Sequence, residues 1–485
     1  MSIAAAKQSK RDYTQGPLFT RLFLFAVPLM ISGLLQVFYN IADKIVVGRY
    51  SSDPNALAAV GCTTIVSSCL VNFALGFSAG AGVIVAQHFG AKNEKKLSKS
   101  IHTSIAISII AGILISVIGI LSSRGILELM NTKPELLESG TLYLKIIFLG
   151  TPANILYNFG ASILRSIGDS KTSLYILSLT GLLNVGLNFV FVLGCDMTVD
   201  GVALATIISQ YVSAICIIIV LMAQTGAAKF SFKRLGIDLA ILKSIFKIGL
   251  PAGIQASLFA LSNLVITSAF NNFSTITIHA RTVVQSVDSI VSTLITSYSR
   301  STLALTAQNY GAKDLKRIKK VFLYSMIQIV LICVVVSQLL LAFCVPISSL
   351  YIGKNNENID EILEIAKEFF KILLNCYFMC GIMDMLSAAL RGIKRSLTTM
   401  IISLTCAIPF RILWVYLVFP YEPFNTANWL MASFPVSWAV AIIPFSIMII
   451  VAWKKLEKKF APETQTPEQA EQINNTEEKE CQAQA

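Results

Sequence analysis

Stretches of apolar residues long enough to cross a lipid bilayer recur along almost the whole chain, and this pattern restricts the fold more than any other feature. A transmembrane helix needs about 20 predominantly apolar residues. Only 14% of the residues are charged, whereas a soluble protein carries roughly 25%. We therefore predict an all-α membrane protein with twelve transmembrane helices. The predicted spans cover residues 18–48, 56–89, 100–121, 139–163, 172–194, 201–223, 241–270, 278–309, 321–341, 366–390, 397–419 and 428–453.

Basic residues are concentrated on one side of these predicted spans. The opposite loops hold only Arg49, Arg124, Lys133 and Lys354. Because positively charged loops stay in the cytoplasm, we predict a multi-pass membrane protein with both termini cytoplasmic. The same rule accounts for the net charge of +12 without a nucleic-acid partner.

The two halves of the chain are similar in sequence. The segment 87–99, QHFGAKNEKKLSK, reappears at 308–320 as QNYGAKDLKRIKK. Further pairs in the same order are Pro28 with Pro251, Asn40 with Asn263, and Leu164-Arg165 with Leu390-Arg391. Each half has an even number of spans, so both halves insert in the same orientation. This predicts two six-helix bundles related by a pseudo-two-fold axis along the membrane normal, with a cavity between them.

The repeat and the composition divide the chain into five segments. We predict a cytoplasmic N-terminal segment (1–15), an N-terminal lobe (16–223), a basic inter-lobe linker (224–240) and a C-terminal lobe (241–455). Residues 456–485 are rich in Gln, Glu and Thr without apolar periodicity, which predicts a disordered cytoplasmic tail.

A set of motifs recurs in a characteristic order. They are Pro28, the YNIAD sequence at 39–43, ALAAVG at 56–61, GFSAGAG at 76–82, QHFGA at 87–91, LRSIGDSK at 164–171 and QNYGA at 308–312. Together they resemble the multidrug and toxic compound extrusion (MATE) family over roughly residues 16–455. The resemblance implies twelve helices in two bundles and export of amphipathic, often cationic organic compounds. It also implies drive by an inward H⁺ or Na⁺ gradient, without a cofactor. On the same resemblance we expect a functional monomer in the bacterial cytoplasmic membrane, with the lipid bilayer and small organic substrates as its partners.

Asp43 is the main candidate for ion coupling. In its first lobe the chain resembles the DNA-damage-inducible branch of the family, in which a kink proline precedes an essential aspartate, as Pro28 precedes Asp43 here. A carboxylate inside a membrane is costly and is a functional candidate for that reason. Tyr39 and Asn40 precede it on the same span. Alternatively, Asp43 lies at the outer interface and pairs with Lys44 or Arg49.

Asn184 and Asn188 extend the predicted ion site. The same branch has an Asn and, four residues later, an Asp on the fifth span, whereas this chain has Asn184 and Asn188. Their spacing places both on one helical face. The second carboxylate is missing, so the choice between H⁺ and Na⁺ stays open. Ordinary interhelical hydrogen bonding is the alternative role.

A second group of polar residues lies in the predicted C-terminal lobe. It comprises Asp288, Asp384, Arg300 and Arg411. The sodium-coupled branch has a Glu on its seventh span where this chain has Phe259, so that site is not expected here. The arginines are predicted to bind the two aspartates or helix-end carbonyls, because an unpaired arginine in hydrocarbon is costly. Contact with an anionic group of the substrate is the alternative.

Several further residues are candidates for the wall of the substrate cavity, where aromatic rings would suit flat organic cations. Helix packing is the competing explanation for most of them. They are Gln36, Phe73, Tyr157, Gln255, Asn263 and Tyr298.

Two other functions are alternatives to export. A lipid-linked glycan flippase of the same superfamily needs a cationic cavity for pyrophosphate, and only Arg300 and Arg411 are candidates for one. A membrane-embedded enzyme is less favoured, because the sequence has no metalloprotease motif, phosphate-binding glycine loop or nucleophile elbow. We therefore expect a secondary antiporter with no catalytic residues and no metal beyond a transported Na⁺.

Overall fold

Helices account for nearly all regular structure in the described residues. The computed structural model describes residues 12–50, 56–195, 197–352 and 358–460, without the side chains of residues 43–50, 56–60 and 350. Twelve long helical segments lie within this part. They are α1 (Leu18–Tyr50), α2 (Ala56–Gly90), α3 (Glu94–Leu129), α4 (Pro134–Ser166), α5 (Lys171–Gly194), α6 (Val199–Met222), α7 (Leu239–Phe270), α8 (Thr275–Gly311), α9 (Leu315–Ala342), α10 (Ile359–Gly392), α11 (Ser396–Val418) and α12 (Ala427–Phe460).

The predicted all-α membrane fold is confirmed, as two six-helix lobes formed by α1–α6 and α7–α12. In the described residues, eleven of the twelve helices are long and apolar enough to cross a bilayer. The remaining one, α8, carries Arg281, Asp288 and Arg300 together with many Ser and Thr residues. A helix of this composition is stable in a membrane only when protein or water surrounds its polar face.

The helices extend further than hydropathy indicated. The third span was predicted at 100–121, whereas α3 runs from Glu94 to Leu129. Asn93 caps this helix by accepting from the backbone N–H of Lys96, and Glu94 in the first turn favours the positive end of the helix dipole. Hydropathy reports only the part of a helix that lies in hydrocarbon, so such polar extensions are missed.

Two predicted spans are interrupted helices. A turn at Asn375 and Cys376 divides α10 into Ile359–Leu374 and Tyr377–Gly392. Segments of π-helix occur in α11 at Ser403–Ala407 and Trp414–Val418, on either side of the part that contains Pro409. Proline has no N–H to donate within a helix, which favours such local rearrangement.

The sequence repeat is also a repeat of local structure. Lys92 and Lys313 both have a positive φ, 53° and 57°. Each follows a helix end with the same backbone hydrogen-bond pattern and precedes a capping side chain, Asn93 or Asp314. The turns after α2 and α8 are therefore equivalent.

The boundaries of the predicted linker and tail differ from the structure. The first helix of the C-terminal lobe, α7, begins at Leu239, inside the predicted linker 224–240. The linker packs on the N-terminal lobe, where Phe230 is fully buried and the N–H of Ser231 donates to His102 Nε2 at 3.1 Å.

The last helix, α12, continues past residue 455 to Phe460, because Leu456 packs in the core of the C-terminal lobe. Residues 1–11 and 461–485 lie outside the described residues.

Candidate transport pathway and its closed end

The two lobes meet through small residues on α2 and α7. A Cβ atom added to Gly76 would lie 2.4 Å from the carbonyl oxygen of Ala252, and one added to Gly80 would lie 2.5 Å from the backbone of Gly249. Such backbone-to-backbone contact requires glycine. Small residues at a crossing are the usual way for membrane helices to pack closely.

The tightest contact lies where α2 and α8 end, on the side of the membrane that carries most basic residues, here called the basic side. A Cβ atom added to Gly90 would lie 1.9 Å from the carbonyl oxygen of Gln308. One added to Gly311 would lie 2.0 Å from the carbonyl oxygen of Gln87. The two copies of the repeated motif therefore touch each other and close the space between the lobes on this side.

Two glutamine side chains cross this contact in a reciprocal arrangement. Gln308 Nε2 donates to the carbonyl oxygen of Ser166 at the end of α4, at 2.7 Å. Gln87 Nε2 donates to the carbonyl oxygen of Gly392 at the end of α10, at 3.0 Å. Both glutamines are buried. Each lobe thus satisfies a helix-end carbonyl of the other.

Charged residues surround the closed end. Arg165 and Arg300, one from each lobe, line a cavity of about 30 Å³ together with Ser162 and Ser166. Lys394, in the turn after α10, has a positive φ of 67°. Desolvation of its ammonium group, with the nearby charges of Lys459, Lys96 and Lys247, lowers the pKa of Lys394. Positive charge therefore accumulates where the lobes meet.

The predicted ion site lies between α1 and α5, which pack together. The hydroxyl of Tyr39 donates to the carbonyl oxygen of Ser178 at 3.3 Å, and its ring lies against Gly181. Asn184 and Asn188 are both buried on α5, at 7% and 0% exposure. The side chain of Asp43 lies outside the described residues, so its place among them stays a prediction.

Pro28 lies inside α1 and is buried. The hydroxyl of Ser32 donates to the carbonyl oxygen of Pro28 at 2.7 Å. Asn40 and Gln36, further along α1, are exposed, as is Asn263 at the position of α7 equivalent to Asn40. Polar residues exposed on spanning helices favour a water-filled space beside them.

The buried arginine of α11 has different partners from those predicted. Arg411 is 4% exposed. Its Nη1 donates to Asn263 Oδ1 at 2.7 Å and its Nε to Ser437 Oγ at 3.0 Å. Its guanidinium carbon lies 4.9 Å from the centre of the Phe434 ring. Neutral acceptors and an aromatic face therefore replace the carboxylate partner that we expected.

The two aspartates of this lobe are not in ion pairs. Tyr377 donates a short hydrogen bond to Asp288 Oδ1. Among the described residues, ion pairs occur only at the surface, and neither Asp288 nor Asp384 lies within ion-pair distance of an arginine. The predicted pairing of Arg300 and Arg411 with these aspartates is therefore wrong. The buried charges are spread along the interior rather than joined in pairs.

Arg281 on α8 is a candidate that the sequence analysis missed. It is 6% exposed, and its guanidinium carbon lies 5.5 Å from the ring centres of both Phe270 and Phe434. Arg281 precedes Asp288 by seven residues, which places both on one helical face. That spacing within a single span was the signal available in the sequence.

Two predicted cavity residues lie inside the C-terminal lobe instead. Gln255 donates to Ser403 Oγ at 2.8 Å and accepts from Thr399, at 6% exposure. Tyr298 is fully buried and donates to Gln328. Phe73 packs on Gly253 at the lobe contact, and Tyr157 is partly exposed with a buried hydroxyl. Gln255 and Tyr298 therefore serve packing between helices.

Comparison with known proteins decides the family. The MatE family model matches residues 28–190 and 251–417, one match in each lobe. This chain belongs to the MatE family.

Two curated proteins and a solved structure are similar to the chain over most of its length. The probable multidrug resistance protein YoeA of Bacillus subtilis is 27% identical over 89% of this chain and 93% of its own length. The multidrug export protein MepA of Staphylococcus saprophyticus is 26% identical over 67% of this chain and 72% of its own length. A crystal structure of MATE in complex with MaL6 has a TM-score of 0.85 at 20% identity, covering 94% of this chain and all of that chain.

Membership in the MatE family establishes the class of function. The protein is a multi-pass membrane transporter of the multidrug efflux family and not an enzyme. Within the described residues, His, Cys, Asp and Glu side chains form no cluster that could hold a metal ion.

Proposed function

We propose that this MatE protein is a secondary antiporter that exports amphipathic organic compounds by alternating access. An inward gradient of H⁺ or Na⁺ would drive it. In this proposal the basic side faces the cytoplasm of a bacterium, both termini lie there, and the monomer is the functional unit. The compound enters between the lobes from that side and leaves on the other.

The contacts of Gly90 with Gln308 and of Gly311 with Gln87 carry this proposal. These two short, equivalent motifs close the basic side, and a cluster of buried apolar residues from α2 and α7 also joins the two lobes. Exposed Asn40 and Asn263 lie further along α1 and α7. A closed end and a polar, accessible region on the same pathway are what one state of an alternating-access transporter requires.

Coupling is proposed at Asp43 with Asn184 and Asn188. Protonation or Na⁺ binding would neutralise the only carboxylate predicted there and so change the preferred bend of α1 near Pro28. A buried charge is costly, so the empty and occupied site would favour different packing of α1 on α5. The amide side chains supply hydrogen bonds in both states.

The test is transport in proteoliposomes with Na⁺ and pH gradients imposed separately. A fluorescent organic compound is the cargo, and the wild-type chain is compared with Asp43→Asn. We expect normal insertion and loss of gradient-driven transport in this variant. Asp360→Asn is the matched control, because Asp360 is exposed in the first turn of α10. Undiminished coupled transport by Asp43→Asn would overturn the assignment of the coupling site.

A lipid-linked glycan flippase is the second candidate. The interior charges favour it more than the sequence indicated, because Arg165, Arg281 and Arg391 add to Arg300 and Arg411. Reconstitution with a fluorescent lipid-linked pyrophosphate separates the two functions. Scrambling that needs this chain but no ion gradient would support the flippase.

A further inference from the structure

Two buried arginines share one aromatic ring in the C-terminal lobe. The guanidinium carbons of Arg281 and Arg411 lie 5.5 Å and 4.9 Å from the centre of the Phe434 ring. The arginines come from α8 and α11, and Phe434 comes from α12. Three helices therefore bring two positive charges to one place in the protein interior.

Arg281 is incompletely satisfied there. Its Nε and Nη1 atoms are buried and have no hydrogen-bond partner among the described residues. A buried guanidinium without an acceptor is strongly unfavourable, because its hydration is lost and nothing replaces it. Stacking on Phe270 and Phe434 offsets only part of this cost. These two nitrogens therefore remain available as donors to an acceptor that is not part of this chain.

The nearby carboxylate does not neutralise the pair. Asp288 accepts from Tyr377 and forms no ion pair with Arg281 or Arg411. Arg411 is bound to two neutral groups, Asn263 and Ser437. Two cations and at most one anion leave this region with net positive charge, which favours an anionic ligand.

The charges on α8 are not part of the repeated framework. When the halves are aligned on Gln87 and Gln308, α2 has Val60 and Ser67 at the positions of Arg281 and Asp288. The N-terminal lobe folds into its bundle without them. Folding of the repeated bundle therefore does not require these charges, and it does not explain why the C-terminal lobe buries them.

We propose that Arg281, Arg411 and Phe434 form a subsite for the anionic group of an aromatic organic acid, a carboxylate or a sulfonate. The inference extends the proposed export function by naming a class of cargo, opposite in charge to the cations that we expected from sequence. Guanidinium N–H groups bind such oxyanions with charge-assisted hydrogen bonds. The aromatic ring of the ligand would pack against Phe434 and its neighbour Trp438, whose ring centres lie 6.5 Å apart.

Access to the subsite runs past Asn263. This residue is exposed on α7 while its side chain accepts from Arg411. Asn263 therefore connects the buried arginines to the accessible part of the pathway. A ligand entering there would meet Arg411 before Arg281.

The first test is equilibrium binding to the purified wild-type protein in detergent. Carboxyfluorescein serves as the probe, followed by fluorescence polarisation, and three competitors are compared at equal concentration. Benzenesulfonate should displace the probe, whereas benzyltrimethylammonium, which carries an aromatic ring and a positive charge, should not. Chloride should not displace it either, since it lacks the aromatic body.

Variants then locate the site. Arg281→Gln should weaken probe binding by about tenfold or more, because charge-assisted hydrogen bonds are lost. Arg281→Lys retains the charge and should bind more strongly than Arg281→Gln. Phe434→Leu, which leaves both arginines in place, should also weaken binding. Arg124→Gln is the control, because Arg124 lies at the surface in an ion pair with Glu128.

Three outcomes would overturn the subsite. They are no saturable binding to the wild type, equal displacement by the cationic competitor or by chloride, and wild-type affinity in Arg281→Gln. The assay uses no ion gradient, so it does not depend on coupled transport. If the protein exports an organic cation under a gradient but does not bind carboxyfluorescein, the subsite is refuted and the antiport proposal stands. If it binds carboxyfluorescein but shows no gradient-driven efflux, the antiport proposal is refuted and the subsite stands.

Discussion

The side-chain amide of Gln308 in the C-terminal lobe donates to the carbonyl oxygen of Ser166 in the N-terminal lobe at 2.7 Å. Its repeat counterpart Gln87 makes the reverse connection to Gly392 at 3.0 Å. Both acceptors belong to the last turn of a helix, where carbonyl oxygens lack partners within the helix. The closed end is therefore stabilised by two equivalent bonds that must break together when the lobes separate.

Gln308→Ala should weaken the closed end. The variant loses the bond to Ser166 and the acceptor of the Tyr13 N–H. One buried hydrogen bond contributes roughly 1 kcal/mol, so we expect a change of about fivefold or more in the ratio of closed to open molecules. Spin labels on Lys92 and Lys313, in the exposed turns after α2 and α8, would report the separation by pulsed electron paramagnetic resonance. We expect a larger population at long distance in the variant.

Gln338→Ala is the control for that experiment. Gln338 is an exposed residue of α9 that donates to Asn375 within the same lobe, so its loss should not alter the distance distribution. The double variant Gln87→Ala/Gln308→Ala should shift the distribution further than either single change. Identical distributions in the wild type, the two single glutamine variants and the double variant would show that the glutamines do not hold the lobes together.

Gly90→Ala should prevent full closure of the basic side. The added methyl group would lie 1.9 Å from the carbonyl oxygen of Gln308, and backbone cannot move aside as a flexible side chain can. Transport should fall by at least about tenfold, since even 1.4 kcal/mol against the closed state corresponds to that factor. Gly125→Ala is the matched control, because no atom lies within 4 Å of the added group. Equal transport by the two variants would contradict the role of this contact.

The helices and the repeat were predictable because they depend on local sequence. The twelve spans follow from hydropathy together with helix-breaking residues, and the equivalence of the turns at Lys92 and Lys313 follows from the repeated motif. The polar extensions of α3 were not predictable in this way, since hydropathy does not distinguish a polar helix end from a loop. The side-chain cap of Asn93 marks the start of α3, and it is seen only in the structure.

The direction in which a side chain points inside a lobe was harder to predict. Gln255 and Tyr298 were candidates for a cavity wall with helix packing as the competing role, and both lie between helices of one lobe. An apolar helix that is surrounded on several sides has no amphipathic pattern to fix its rotation. Partner choice failed for the same reason, because Arg411 contacts Asn263 through the crossing of α7 and α11, which no sequence spacing encodes.

Thermal stability should depend on pH through Lys394. Its pKa is lowered by desolvation and by neighbouring lysines, so protonation is less favourable in the folded protein than in the unfolded one. The protonated Lys394 therefore lowers the free energy of unfolding. This loss of stability is complete below the pKa of the folded state and decreases as pH rises toward the ordinary value of 10.5. Melting temperature should therefore rise slightly at alkaline pH, and the effect is small because the residue as a whole is exposed.

Lys394→Asn isolates that contribution. Asparagine tolerates the positive φ of 67° and carries no charge, so the variant should lose part of the rise in melting temperature with pH. Lys171→Asn, which removes another exposed lysine, should retain it. The same pH dependence in Lys394→Asn and the wild type would exclude Lys394 as its source.

Tyr377→Phe should destabilise the C-terminal lobe. The hydroxyl of Tyr377 donates to Asp288 in the interior, and loss of a hydrogen bond to a carboxylate costs roughly 1–3 kcal/mol. We expect a melting temperature lower by a few degrees, with Tyr416→Phe as the control, since Tyr416 is 68% exposed.

The same variant should also affect ligand binding. Released from Tyr377, Asp288 would be free to turn toward Arg281 and compete with an anionic ligand. Carboxyfluorescein binding should therefore weaken in Tyr377→Phe, while stability and binding both equal to wild type would mean that this hydrogen bond does not hold Asp288 away from the arginines.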